Sequence, residues 1–331
     1  MKVKVVAIGV RDHEMKLYQK IGKSFDLEYE CFGKSQDIYD SRIYEGKNVV
    51  ISGNSTTIIS DDYFSILEKH DIHYFIAKMT GTDHIDFEAA KRHNVHIANI
   101  QSYSPNAISE MALAMALSLN RNLYTIQTKA QNLDFTVDFP YFKEIRDCTV
   151  GILGVGRIGS TTAKLFSSLG AKVIGYDLHP YEDNERFMTY TDLESFKKES
   201  DIIIIHVPYI KGVNEHMVNE EFINDMKDQA ILINVARGEL VDLKAVVDAV
   251  KSGKLFGFGT DVLEGENEVN GKKVSEIKNR TIREAISLYP KVIVTPHLGA
   301  HTVRARETQV EIAFKEAMDF INTGSCQYCI I

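Results

Sequence analysis

Short apolar runs alternate with amphipathic stretches along most of the chain, and that alternation predicts a parallel α/β sheet. Residues 3–9 (VKVVAIG) read as a strand, and a helical stretch follows from about Glu14 to Lys23. Further apolar runs lie at 27–31, 48–52, 74–77 and 96–100. A long, mostly buried helix is expected from Ser104, a good N-cap. Pro105 follows at the first helical position, where its missing N–H costs nothing. Residues 133–147 carry Phe135, Phe139, Pro140, Tyr141 and Phe142 without a period, and read as a loop with short turns covering a core. From Cys148 the pattern is regular, with strands at 149–154, 172–177, 201–207, 230–235, 255–262 and 291–296. Helices fit between them at about 157–169, 192–199, 218–226, 242–252 and 279–288, and a last amphipathic helix spans about 303–323. The unbroken run Ile202 to Ile205 is that of a strand buried on both faces. Two sheet systems are expected, over about 1–103 and 104–298, with the segment from 299 rejoining the first.

Composition narrows the class. A chain of 331 residues suits two domains, and 44% hydrophobic with 25% charged residues is ordinary for a globular protein. A net charge of -8 repels phosphate backbones, so nucleic acid is not an expected partner. Four scattered cysteines, Cys31, Cys148, Cys326 and Cys329, are too few to staple a chain this long, and a reduced cytoplasmic setting is expected. The start, MKVKVVAIGVRDHEMK, meets charges too early for a signal peptide, and no stretch approaches the ~18 apolar residues of a membrane span. Cys326-x-x-Cys329 lacks a second pair and the strand–helix context of a redox motif, so it reads as two ordinary cysteines, and no residue is assigned to a metal. Tyr328 stands where a prenylated cysteine would be needed.

The first chemistry-bearing motif is Gly154-Val155-Gly156-Arg157-Ile158-Gly159. It follows a strand, opens a helix, and precedes a strand ending at Asp177, 18 positions beyond Gly159. That context is the dinucleotide fingerprint. Gly154 permits the tight turn, Gly156 lets backbone approach a pyrophosphate, and Gly159 lets helix and strand close up, while the helix N-terminus offers N–H groups to phosphate. A carboxylate at Asp177 accepts from a ribose 2′-hydroxyl and repels a 2′-phosphate, so NAD is expected rather than NADP.

Three ionisable residues follow later strands: Arg237 in NVARGELVD, Glu266 in TDVLEGE and His297 in TPHLGAH. Strand ends are where open parallel sheets hold ligands. Reducing a carbonyl with hydride builds charge on oxygen and needs a proton donor, which a histidine supplies near neutral pH. A carboxylate such as Glu266 would favour its imidazolium. A substrate carboxylate calls for arginine's planar fork, here Arg237.

On these motifs, with HVPYIKGVNEH (206–216), KMTGTDHID (78–86) and SYSPNAISE (102–110), the sequence resembles the D-2-hydroxyacid dehydrogenase family. It looks closest to D-lactate and (R)-2-hydroxyglutarate dehydrogenases. The resemblance covers nearly the whole chain and implies two doubly wound Rossmann-like domains with a cleft between them: a substrate domain of 1–103 plus 299–331, and an NAD domain of 104–298. It makes His297 the acid/base, Glu266 its partner and Arg237 the substrate anchor. It puts Arg157 and Ile158 at the pyrophosphate, Asp177 at the ribose, and His206, Val207, Pro208 and Asn214 along the dinucleotide groove. Val235, Ala236, Arg237 and Asp261 would face the nicotinamide, Asp261 holding the carboxamide. Backbone N–H groups at Thr80 and Gly81 would grip the substrate carboxylate. The resemblance also implies a homodimer built largely on the helix from Ser104.

Lys78 departs from the arginine that many such proteins carry, and reads either as a substrate contact or as a solvated strand-end lysine. The loop Ile51 to Thr56, expected at the substrate's far end, supplies hydroxyls and an amide but no charge. A monocarboxylic 2-oxo acid is therefore expected: pyruvate, or one with a modest apolar side chain. The competing readings are an (R)-2-hydroxyglutarate dehydrogenase, a phosphoglycerate-type dehydrogenase and a non-enzymatic NAD-sensing protein.

Overall fold

The structure, a computed structural model, describes every residue except 1, 34, 35, 54–56, 83 and 102. The tip of the loop expected at the substrate's far end, Asn54 to Thr56, therefore lies outside the described residues, as do Asp83 and Ser102 of two quoted motifs. The chain divides into two compact units, residues 1–104 with 301–331, and residues 105–300.

The smaller unit is built on a five-stranded sheet of β1 (Val3–Val10), β2 (Leu27–Gly33), β3 (Val49–Ser52), β4 (Tyr74–Ala77) and β5 (His96–Asn99). All strands are parallel, in the order β2-β1-β3-β4-β5. Alternation along β1 sorts its side chains to two faces. Val6 and Ile8 pack with Tyr63, Phe64 and Ala89 of α2 (Asp61–Lys69) and α3 (Phe87–Arg92). Val5 and Ala7 pack with Tyr18 of α1 (Asp12–Gly22) and with Val310, Phe314 and Phe320 of the last helix, Val303–Thr323. The final residues return to the sheet edge, where Ile330 N–H donates to Ile97 O at 2.7 Å. The order 2-1-3-4-5 reverses direction between β1 and β3, and the chain following β1 begins at Arg11.

The larger unit carries a seven-stranded parallel sheet: β6 (Thr149–Leu153), β7 (Lys172–Tyr176), β8 (Thr189–Tyr190), β9 (Ile202–Ile205), β10 (Ala230–Asn234), β11 (Leu255–Thr260) and β12 (Val292–Val294). Its order, β12-β11-β10-β9-β6-β7-β8, reverses between β6 and β9. The Ile run of β9 is buried on both faces. Ile202 and Ile204 meet α4 (Pro105–Asn120) and α6 (Arg157–Ser168), together with Val150 and Ile233. Ile203 and Ile205 meet Phe196 of α7 (Leu193–Glu199), Phe222 of α8 (Glu220–Asp225), Val246 of α9 (Leu243–Ser252) and Ile282 of α10 (Arg280–Ser287). Both units are thus doubly wound α/β layers. The short strand β8 was not legible, because two residues carry no alternation. No helix among the described residues is long and apolar enough to cross a membrane.

One expectation is corrected. After α5 (Leu123–Gln131), residues 133–142 do not cover a core. Within their unit Phe135 is 75% exposed, Val137 92%, and Tyr141 fully. The segment has no periodic face to lay on the sheet. Instead it folds on local contacts: Asp134 caps its own turn through Thr136 N–H at 3.0 Å, and Phe139 meets Phe142 at 6.2 Å and the Lys129 ammonium at 5.1 Å.

Candidate active site

The turn after β6 needs its glycines for separate reasons. Gly154 sits at φ +88°, and a Cβ there would lie 2.7 Å from Val207 N. A Cβ on Gly159 would lie 2.0 Å from Gly154 O, so only glycine lets α6 close onto the turn. Gly156 is different: a Cβ on it would meet nothing within 4 Å. Its backbone lies open at the start of a 12-residue helix, beside the exposed Arg157, a cradle that suits a pyrophosphate. Asp177, at the end of β7, accepts from Val155 N–H at 2.6 Å and from His179 N–H at 2.8 Å. Each carboxylate oxygen keeps a further lone pair for a ribose hydroxyl.

Beyond the switch point, His206 and Val207 follow β9. Burial pushes the His206 imidazole down to about 3, so the ring is neutral, and it hydrogen-bonds Thr162 Oγ at 2.8 Å. Thr162 in turn donates to the buried Ser109 of α4 at 2.8 Å. Pro208 is exposed. The side-chain amide of Asn214 staples its own loop, accepting from Ile210 N–H at 2.7 Å and donating to Pro208 O at 2.8 Å.

The ionisable group of this unit is tightly built. His297 Nδ1 and Glu266 Oε1 are 2.7 Å apart. That hydrogen bond raises the imidazole above its ordinary range, against burial and against the positive charge of Arg237, which both pull it down. His297 adopts a left-handed backbone at φ +55°, sustained by its N–H to Asp261 O at 2.9 Å. Arg237 is half-buried, and its guanidinium donates to Ala236 O at 2.9 Å. Val235 is 8% exposed and closes the base of the turn.

Asp261 is engaged within its own unit. Only 2% exposed, it accepts from Thr295 Oγ at 2.5 Å and from Leu298 and Gly299 N–H at 2.8 and 2.6 Å. It therefore binds the loop that carries His297.

Three supporting residues were missed by sequence reasoning. Asn234 donates to Arg237 O at 2.8 Å and accepts from Ala236 N–H, shaping the arginine turn. Gly238 lies so close to the next loop that a Cβ would sit 2.1 Å from Glu264 N, which presses the Arg237 and Glu266 loops together. His216 pairs with Glu264 at 2.7 Å. The glycine after the arginine was the only signal of this packing; the rest depends on contacts between distant loops.

In the smaller unit, Thr80 and Gly81 follow β4. Thr80 Oγ donates to Ile100 O at 2.9 Å, and Asn99 donates to Thr80 O at 2.7 Å. Lys78 is 3% exposed, so the solvated reading is overturned. Its ammonium lies 3.4 Å from the buried carboxylate of Glu14 and 5.1 Å from the Tyr18 ring. Burial would raise the Glu14 carboxyl, but Lys78, the Arg11 N–H and Arg306 hold it below its ordinary range. The ammonium's charge is thus answered within its own unit.

Comparison with known proteins matches these features. Residues 113–299 fit the family model described as "D-isomer specific 2-hydroxyacid dehydrogenase, NAD binding domain". An aromatic 2-oxoacid reductase of Clostridium sporogenes is 34% identical over 98% of both chains. The crystal structure of a D-lactate dehydrogenase from Treponema pallidum superposes with a TM-score of 0.93 at 28% identity, covering 99% of this chain and 100% of that one. A D-2-hydroxyisocaproate dehydrogenase structure gives 0.92 at 33% identity, covering 99% of each. The glycine turn, its acidic partner and the paired histidine thus stand in a chain similar to these dehydrogenases from end to end. The chain belongs to the D-isomer specific 2-hydroxyacid dehydrogenase family and is an NAD-dependent oxidoreductase.

Proposed function

We propose that the protein reduces a small 2-oxo acid to the (R)-2-hydroxy acid, with His297 as acid/base, Glu266 as its partner and Arg237 as the substrate anchor. The observation that carries the reading is the 2.7 Å contact between His297 Nδ1 and Glu266, in the unit that holds the dinucleotide turn. NADH, when bound, supplies the hydride. Gly156, Arg157 and Ile158 would hold its pyrophosphate on the turn that Gly154 and Gly159 shape, Asp177 its ribose, and Val207, Pro208 and the Val235–Ala236 turn would line its groove. As charge builds on the carbonyl oxygen, the His297 imidazolium delivers a proton from Nε2, while Glu266 on Nδ1 keeps the ring charged and aimed. Arg237 clamps the substrate carboxylate through two parallel hydrogen bonds; the N–H groups of Thr80 and Gly81 remain the smaller unit's own candidates for binding a carboxylate. Lys78 and Asp261 become positioning residues, the first for the strand end before Thr80, the second for the His297 loop.

The substrate is a monocarboxylate, either pyruvate or one with an apolar side chain. Support comes from the named activities of the similar proteins and from the uncharged residues Ile51 to Gly53. Rates with pyruvate, 2-oxoisocaproate, phenylpyruvate and 2-oxoglutarate, each with NADH, test this. The highest kcat/KM is expected among the first three, and a preference for 2-oxoglutarate would overturn it. His297→Ala should lower turnover by about 10²–10⁴-fold while NADH binding, read by fluorescence titration, stays close to wild type. Near-normal turnover would remove His297 from the mechanism.

The working form is proposed to be a homodimer in the cytoplasm. Four free cysteines support the reduced setting, and the exposed Phe135, Val137 and Tyr141 support burial against a second copy.

A further inference from the structure

The smaller unit holds a cluster of arginine and histidine side chains that the reaction outlined above does not use. Its sheet reverses between β1 and β3, and in open α/β sheets that reversal marks a ligand crevice at the carboxyl ends of the strands. Arg11 is the first residue after β1. Two positions on, the His13 ring meets the His301 ring edge-to-face, with centroids 6.0 Å apart. Arg306, in the first turn of the last helix, lies 3.4 Å from His301 Nδ1 through its Nη2, and donates through Nη1 to the buried Gln309 at 2.9 Å. The nearest carboxylate is Glu14, 3.7 Å from Arg306 Nε, and Lys78 already shares it. Arg306 Nε itself is buried and makes no hydrogen bond among the described residues. One carboxylate therefore answers two cations, Arg11 adds a third, and the two histidines beside them add charge only when protonated. The two histidine side chains are exposed, so the surplus faces solvent.

We propose that Arg11, His13, His301 and Arg306 form an oxyanion-binding site at the β1/β3 reversal of the smaller unit. Its ligand is a free anion carrying a phosphate or carboxylate group, and the inference does not depend on the proposed reduction of 2-oxo acids. Burial, with the charges of Arg306, Arg11 and His13, keeps His301 below its ordinary range against the opposing pull of Glu14. A bound oxyanion relieves that repulsion, so binding tightens as pH falls.

The test uses the full chain and its double variant His13→Gln/His301→Gln, with Arg11→Gln as a second variant, each checked for a wild-type melting curve. Inorganic phosphate and the dicarboxylate glutarate are titrated by thermal shift at pH 6 and pH 8. The site predicts an anion-dependent rise that is larger at pH 6 and whose apparent affinity falls about tenfold or more in the variants, the loss expected for charge-assisted hydrogen bonds. Equal phosphate and glutarate responses in wild type and variants would overturn the site.

Discussion

At the scale of single residues, the protonation of His297 governs the proposed chemistry. Its folded pKa is raised by the Glu266 hydrogen bond, so the pair stabilises the fold fully below the unfolded histidine value near 6.5. That contribution is lost as pH rises through the higher folded value. Reduction needs the imidazolium, so its rate should fall across the same window while oxidation of the hydroxy acid rises. Glu266→Gln removes the carboxylate and should move the descending limb of the reduction profile to lower pH, which a pH series of kcat/KM would read. An unmoved limb would separate Glu266 from the titration. Lys78 poses a different question, since truncating it leaves Glu14 buried without its closest charged partner. Lys78→Ala should cost about 3–5 kcal/mol in chemical denaturation, and a wild-type midpoint would show the pair to be idle. Asp177 is expected to set cofactor choice: NADPH should give a far lower kcat/KM than NADH, and Asp177→Ser should narrow the gap.

At the scale of elements, the site depends on how loops press together at strand ends. Gly238 holds the arginine turn against Leu263 and Glu264, three residues or fewer from Glu266. Gly238→Ala should push these loops apart, with at least the ~1–3 kcal/mol of an overpacked site and a drop in turnover. The check is a melting curve beside kcat, and a fully active, stable variant would mean that the loops are not coupled. The long strands and most helices were legible because their periods of 2 and 3.6 are printed in the residue order, while α2, α3 and α5 were not assigned. Arg237, Glu266 and His297 were legible because each follows a readable strand. Asn234, Gly238 and the His216–Glu264 pair were not, because their partners come from elsewhere in the chain. The aromatic run 133–142 misled for a related reason: residue type implies burial, but without a periodic face nothing directs those rings to the core of their own unit.

At the scale of the whole molecule, those exposed rings are what the proposed dimer would bury. Light scattering should report twice the 37.4 kDa chain mass, and Phe135→Asp/Tyr141→Asp should shift it toward the monomer. A monomeric wild-type protein would remove the homodimer. The residue order by itself determined the parallel α/β alternation, the dinucleotide turn and the three strand-end residues, because strand burial, helix caps and glycine-only turns are local demands, while the doubly wound two-domain fold was implied by the family resemblance. Only the tertiary structure decided what Lys78 and Asp261 contact, which loops brace Arg237, and where the surplus cations of the smaller unit gather. Charge pairing and steric apposition act across space between segments that the sequence leaves far apart.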